Sequence, residues 1–251
     1  MSRPPVGVTR SGAVTTCALD RPEGGNMLDA AILDGLIDAN SQAREDGTRV
    51  LVLRANGPDF CLGRKAPTRE GVPTPGALHA EFARVQGANE LIEDFPGVTV
   101  SVVRGRALGA GASLAGRCDV VVAARSSRWA FPEVPHGISP MVVTSYFVHR
   151  LGRTALLDLL LTGREVEAAE AQRLGLVSRV VDDPVLDEEV DALATSLAHM
   201  APEVVRSTKA FIGTAATLPP RTAIQLGLAQ MINQMVDQAS ARAQAAHGGA
   251  R

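Results

Sequence analysis

Read as a pattern of apolar and polar positions, the chain opens on two β-prone runs, VGVTR and AVTTCALD, joined at Ser11-Gly12. Two such runs around a glycine-bearing turn predict a hairpin. The loop RPEGGN follows. Asp29 then stands as a helix N-cap, and Leu28, Ala31, Ile32, Gly35, Leu36 and Ala39 recur at helical spacing. RVLVLRA (49–55) and VTVSVVR (98–104) are nearly unbroken apolar runs, expected of strands buried on both faces. Between them, residues 56–76 are rich in Gly, Pro and charge and predict a long functional loop, and residues 77–94 return to a helical period. This strand–helix–strand alternation predicts an α/β domain with mostly parallel pairing. After Pro140 the pattern changes: 141–173 reads as helix, LVSRVV (176–181) as one more strand, and 185 to about 245 as helix broken near Leu218-Pro219-Pro220. The division expected is an α/β core over 1–195 and a helical region over 196–251, whose tail AQAAHGGAR lacks apolar periodicity and is expected to be disordered.

Composition narrows the class more than the function. Hydrophobic residues make up 45% of the 251 and charged residues 21%, as in ordinary globular proteins, while aromatics are only 3%, so the core must be aliphatic. A net charge of −2 provides no polybasic field, and no nucleic-acid partner is expected. Cys17, Cys61 and Cys118 are too few and scattered for a disulfide framework, and no CxxC pair suggests a metal. The start, MSRPPVGVTR, lacks an apolar signal region, and no run approaches the ~18 apolar residues of a membrane span. A cytoplasmic protein with no membrane partner is the expectation.

One stretch stands apart. RGRALGAGASLAGRCD (104–119) carries the chain between two apolar strands, and ten of its sixteen residues are Gly, Ala, Ser or Cys. A dinucleotide fingerprint fails on spacing, because Gly105, Gly109 and Gly111 give GxxxGxG rather than GxGxxG. Two readings remain from composition alone. Small residues let a helix seat closely on a sheet. They also let a ligand approach the free N–H groups at a helix amino terminus, where two donors aimed at one oxygen would form an oxyanion hole.

Taken together, RPEGGNMLDAAIL, DFCLGRK, VRGRALGAGASLAGRCDVVVAA, FPEVPHGISP and LTGREVEAAEAQRLGLVSRVV resemble the crotonase superfamily, the enoyl-CoA hydratase/isomerase group, in order and spacing over roughly residues 5–215. The resemblance implies a spiral of ββα turns with a C-terminal helical region that mediates trimerisation, trimers commonly pairing into hexamers. It implies an acyl-CoA substrate and no cofactor beyond that substrate's CoA moiety. It also implies an oxyanion hole from the backbone N–H groups of Arg64 and of Ala110, the latter at the middle of Gly109-Ala110-Gly111. Motif positions Gly25, Met27, Cys61, Gly63, Ala66, Leu108, Pro132 and Gly137 are then expected around the thioester and CoA. Arg21, Lys65 and Lys209, with Arg64, are candidates for the CoA phosphates.

The carboxylates depart from the hydratases of that family, which carry two glutamates. One position is Glu133, set among Phe131, Pro132, Val134 and Pro135, neighbours expected to raise its pKa. The other is Ser113, which can orient water but is a poor base. Hydration needs a base for water and a proton donor for carbon, whereas one glutamate suffices to shift a double bond. Enoyl-CoA isomerisation is therefore the favoured expectation. The alternatives are hydration with a second acid from 66–94 (Glu70, Glu81, Glu90, Glu93 or Asp94) and a non-catalytic acyl-CoA-binding scaffold. That segment is expected to form the acyl pocket. His136, three residues past Glu133, is a lesser pocket candidate.

Overall fold

The computed structural model describes residues 3–65 and 71–248, with side chains up to residue 240. Of the residues singled out above, Ala66 and Glu70 lie outside the described ones.

The chain divides into two compact units, Met1–Met200 and Ala201–Arg251. In the first, β1 (Val6–Ser11) and β2 (Val14–Leu19) form the hairpin, antiparallel with Ser11 opposite Val14. Helix α1 (Ala30–Glu45) is capped by Asp29, whose carboxylate accepts from Ile32 N at 3.0 Å, and it buries Ile32, Leu33, Leu36 and Ala39. It returns the chain to β3 (Val50–Ala55), parallel to β2. After α2 (Pro75–Glu93) comes β4 (Val98–Val103), buried along its whole length as its unbroken apolar run requires. Each later turn then gives one strand to each of two sheets. β4 is followed by β5 (Arg106–Leu108) and α3 (Ala110–Gly116), and β6 (Val120–Ala124) by β7 (Arg128–Ala130). The large sheet runs β1-β2-β3-β4-β6-β9 and the small one β5-β7-β8, where β8 is Val166–Glu167 and β9 is Arg179–Val181.

The helical reading of 141–173 resolves into α4 (Met141–Phe147), α5 (Arg153–Thr162) and α6 (Ala168–Leu174), with β8 between the last two. Glycine explains the breaks: Gly163 and Gly175 end α5 and α6 in the left-handed conformation that terminates helices. The strand expected over 176–181 is shortened to β9. Helix α7 (Leu186–Ala198) then completes the first unit, burying Leu186, Val190 and Ala194.

The second unit holds α8 (Pro202–Ala215) and α9 (Pro220–Gly248). Gly227 of α9 lets Phe211 of α8 in, since a Cβ there would stand 2.8 Å from the phenyl ring. Helix α9 continues through most of the tail expected to lack structure, because Ala, Gln and Arg favour helix without needing an apolar partner. Among the described residues, no helix is long and apolar enough to cross a membrane.

Candidate active site

The small residues of 104–119 serve the turn from β5 into α3. Gly109 sits between them at φ +51° and ψ −118°, a conformation closed to residues with a Cβ. A Cβ there would also stand 2.7 Å from Glu133 Oε1, so the carboxylate can lie against the backbone only because Gly109 is bare. Gly111 has a packing role. Its Cβ would meet Cys61 O at 2.4 Å, so glycine seats the first turn of α3 on the 61–64 segment. The packing reading left open by composition therefore applies at Gly111.

That segment is held from both sides. Cys61 N donates to Arg106 O (3.1 Å) and Leu108 N to Cys61 O (2.9 Å). On the other side Leu28 N donates to Gly63 O (2.9 Å) and Lys65 N to Leu28 O (3.0 Å), a parallel bridge between Leu28 and Arg64. In such a bridge the residues flanking Arg64 supply the pairing to Leu28, so Arg64's own N–H is directed to the other side of the strand. The Arg64 side chain pairs with Glu81 and lies over the Phe82 ring, 4.8 Å from its centroid.

Glu133 is delivered by β7. Phe131 goes into the core, edge-on to Phe147 at 5.4 Å, and Pro132 turns the chain so that Glu133 opens a short 3-10 helix, Val134–His136. The Glu133 carbonyl accepts from His136 N (3.0 Å) and Ile138 N (2.9 Å), and His136 Nδ1 donates to Pro132 O at 2.6 Å. Burial raises the Glu133 pKa above the ordinary glutamate value, against the opposing pull of its own backbone and of His136. Its Oε2 is buried without a hydrogen-bond partner, and so is Ser113 Oγ.

These groups converge. Met27, Gly63, Arg64, Gly109, Ala110, Ser113, Pro132 and Glu133 line one cavity of about 720 Å³, within the usual size of small-molecule sites. Phe82, Val85 and Asn89 of α2, and His136 with residues 138–143, complete its wall. Glu133 is the only acidic side chain lining it among the described residues. Of the other acids considered, Glu81 is engaged by Arg64, Glu93 pairs with Arg117, Glu90 accepts from Gln86 at 3.0 Å, and Asp94 closes the C-terminus of α2.

The remaining expected contacts are not among the described residues that line it. Gly25, Cys61, Leu108 and Gly111 support its lining segments, with Gly25 O accepting from Leu62 N at 2.9 Å. Cys61 is fully buried and its thiol is pushed up to about 12, so it is no nucleophile. Gly137 ends the 3-10 helix at φ +75°. Lys65 is exposed, Arg21 donates to the carbonyls of Arg3 and Asp20, and Lys209 belongs to the second unit. Sequence reasoning missed Asn26, which is fully buried. It ties the RPEGGN loop to Asn56 O (2.9 Å) and Asp59 O (3.0 Å) while accepting from Arg21 N (2.8 Å). Its φ of +51°, a value asparagine tolerates, was the available signal.

Comparison with known proteins agrees with this geometry. The family model described as enoyl-CoA hydratase/isomerase matches residues 9–248. A Thermus thermophilus protein named as a putative enoyl-CoA hydratase is 35% identical over 201 residues, covering 79% of each chain. The structure resembles a Mycobacterium smegmatis enoyl-CoA hydratase (TM-score 0.87, 29% identity, 94% of this chain and 92% of that one). It also resembles a Thermobifida fusca protein described as a putative enoyl-CoA hydratase in complex with CoA (TM-score 0.82, 28% identity, 94% and 95%). The crotonase fold and the order of its motifs thus agree with a match spanning nearly the whole chain, and the protein belongs to the enoyl-CoA hydratase/isomerase family.

Proposed function

We propose that this protein binds an acyl-CoA and moves a double bond along its acyl chain, with Glu133 carrying the proton. The observation that best supports this is the buried, unpartnered carboxylate oxygen of Glu133, the only acid on the cavity wall among the described residues. The thioester carbonyl is taken to sit between the N–H groups of Arg64 and Ala110, donors worth roughly 3–4 kcal/mol each against a developing oxyanion. Ionised Glu133 removes a proton from the carbon beside the thioester, and that C–H electron pair moves into the dienolate. The same carboxyl returns the proton two carbons farther along as the dienolate collapses, so the double bond comes into conjugation and no atom is gained or lost. A raised pKa makes Glu133 a stronger base once ionised.

Hydration is the second reading, and the unpartnered Ser113 Oγ favours it, since that hydroxyl could orient a water held against Glu133. A scaffold without turnover has no use for an unpaired buried carboxylate, which disfavours that alternative. Absorbance of the conjugated thioester tests the choice. A 3-enoyl-CoA should gain it rapidly and crotonyl-CoA should keep it, whereas rapid loss from crotonyl-CoA with no reaction of the 3-enoyl substrate would refute the isomerase reading.

Assembly as a trimer or hexamer is part of the same proposal. The helical second unit exposes Ile212, Ile224, Leu228, Met231, Met235 and Val236, more apolar surface than scattered surface positions explain. A monomeric mass by light scattering at micromolar concentration would refute it.

A further inference from the structure

The chemistry proposed above uses Glu133 and leaves its neighbour on the same turn, His136, without a role. Glu133 already has helical dihedrals, φ −62° and ψ −46°, and the bond from His136 N to its carbonyl (3.0 Å) closes one 3-10 turn between the two. Side chains three residues apart on such a turn eclipse. Glu133 and His136 therefore share a face of the turn, and both line the cavity. Glu133 is half-buried and His136 exposed, so the imidazole is the member of the pair that meets solvent.

The imidazole is held in one orientation. Its Nδ1 lies 2.6 Å from Pro132 O, and because a carbonyl only accepts, Nδ1 carries the hydrogen. A second proton can then go only to Nε2, which has no hydrogen-bond partner among the described residues. The ring therefore gains its charge without giving up its anchor. Imidazole is the side chain that gains charge as pH falls below neutrality. Few other charged groups belong to the segments around this turn. Arg64 on the cavity wall pairs with Glu81. Helix α5, ended by Gly163 against Pro135, carries Arg153 and Asp158, and Asp158 pairs with Arg164 at 2.8 Å. The residues of α2, of α3 and of 138–143 that line the cavity are uncharged. Of these groups it is His136 that acts on the charge of Glu133, opposing the effect of burial.

We propose that His136 is a positioning residue for the proton transfer: its imidazolium, one turn from Glu133, holds that carboxylate in the ionised, basic form as the surroundings acidify. This rests on the reading of Glu133 as the base and adds the group that keeps it one. Burial disfavours the ionised carboxylate, and a base that takes up a proton early is lost to catalysis. A cation that appears only as pH falls counters that loss where it would occur. Three residues of 3-10 helix rise about 6 Å, and two unit charges about that far apart in largely aqueous surroundings shift each other by about half a pH unit.

The test is the acidic limb of kcat/KM on a 3-enoyl-CoA, or on crotonyl-CoA should the protein turn over that substrate instead, in wild type, His136→Asn and His136→Lys. The Asn amide can still donate to Pro132 O but takes no charge, and Lys keeps a cation throughout the range. The limb should move up by about half a pH unit in His136→Asn and stay at or below its wild-type position in His136→Lys. Loss of a merely structural contact would instead lower kcat/KM by one factor at every pH and in both variants. The proposal is overturned if the limb of His136→Asn coincides with that of wild type, or if it moves up equally in His136→Lys. The wild type alone can also overturn it, whether or not the variants fold. Salt screens an exposed charge pair, so a limb that does not move up between about 0.1 M and about 1 M salt refutes the coupling. If the wild type acts on neither substrate, the reading of Glu133 as the base falls and this proposal with it.

Discussion

Glu133→Gln should make the protein a worse enzyme and a more stable one, and the gain in stability should depend on pH. The substitution keeps shape and removes both base and charge. Loss of proton transfer should lower kcat on a 3-enoyl-CoA by about 10²-fold or more. For stability, the unpartnered Oε2 is the relevant atom. Gln leaves a polar atom in the same place, so what the substitution relieves is burial of the charge; a burial penalty of this kind runs to about 1–3 kcal/mol or more, and because the residue is only half-buried the low end applies, about 1 kcal/mol. In a chain of this length that is a rise in Tm of about 2–4 °C. Burial raises the folded pKa of Glu133 above its unfolded value, so the neutral form favours folding. Below the unfolded value, about 4.3, both states hold the proton and ionisation carries no penalty. As pH climbs from there through the folded pKa, the unfolded chain releases the proton more readily and stability falls, then levels off. The Tm advantage of the Gln variant should thus be present at pH 7–8 and fade near pH 4. Thermal melts of both proteins across that range, beside single-substrate kinetics, provide the assay. A Gln variant less stable than wild type at pH 8, or a gain independent of pH, would refute the placement of a carboxylate with a buried, unpartnered oxygen.

Gly109→Ala should cost roughly 1–2 kcal/mol for its positive φ and displace the Glu133 carboxylate, lowering kcat by about 10–10²-fold; wild-type kcat would count against that contact. Ala110→Pro removes a proposed oxyanion donor and should abolish turnover, whereas Arg64→Ala keeps the main-chain N–H and should act chiefly on KM; stopped-time assays of the two variants separate backbone from side chain. Ser113→Glu places a second carboxyl in the cavity and should raise any hydration of crotonyl-CoA while lowering Tm, since Ser113 is 3% exposed; unchanged hydration would show that one carboxyl was never the limit. The low-pH limb of kcat/KM should fall at a pH above that of an ordinary glutamate, because burial raises Glu133 and only its ionised form is the base.

What the sequence made legible was set by near neighbours. The β1–β2 hairpin, the Asp29 cap and the unbroken apolar strands β3 and β4 each depend on residues a few positions apart, and all four stand where the pattern puts them. The carboxylate at Glu133 was readable because Pro132 and Pro135 hold it in a short rigid turn, and the bare backbone at Gly109 because glycine is cheap to recognise. That the two touch was not readable, since 24 positions separate them and the contact exists only because β5 and β7 pair in register, Leu108 beside Ala130. The breaks between α4, α5 and α6 were present as glycines but were masked by a continuous apolar period across 141–173.

Asn89 shows the same limit from the other side. In sequence it is one polar residue in an amphipathic helix, and such a residue is ordinarily solvated. Only the packing of α2 against the body of the first unit turns it inward to 3% exposure. Periodicity reports which face of a helix is apolar, not which polar atoms end without a bond. The unpaired atoms that mark this cavity, on Ser113 and Glu133, come from α3 and the turn after β7, two segments with no pairing pattern in common. Their shared property is a deficit that the protein itself does not fill.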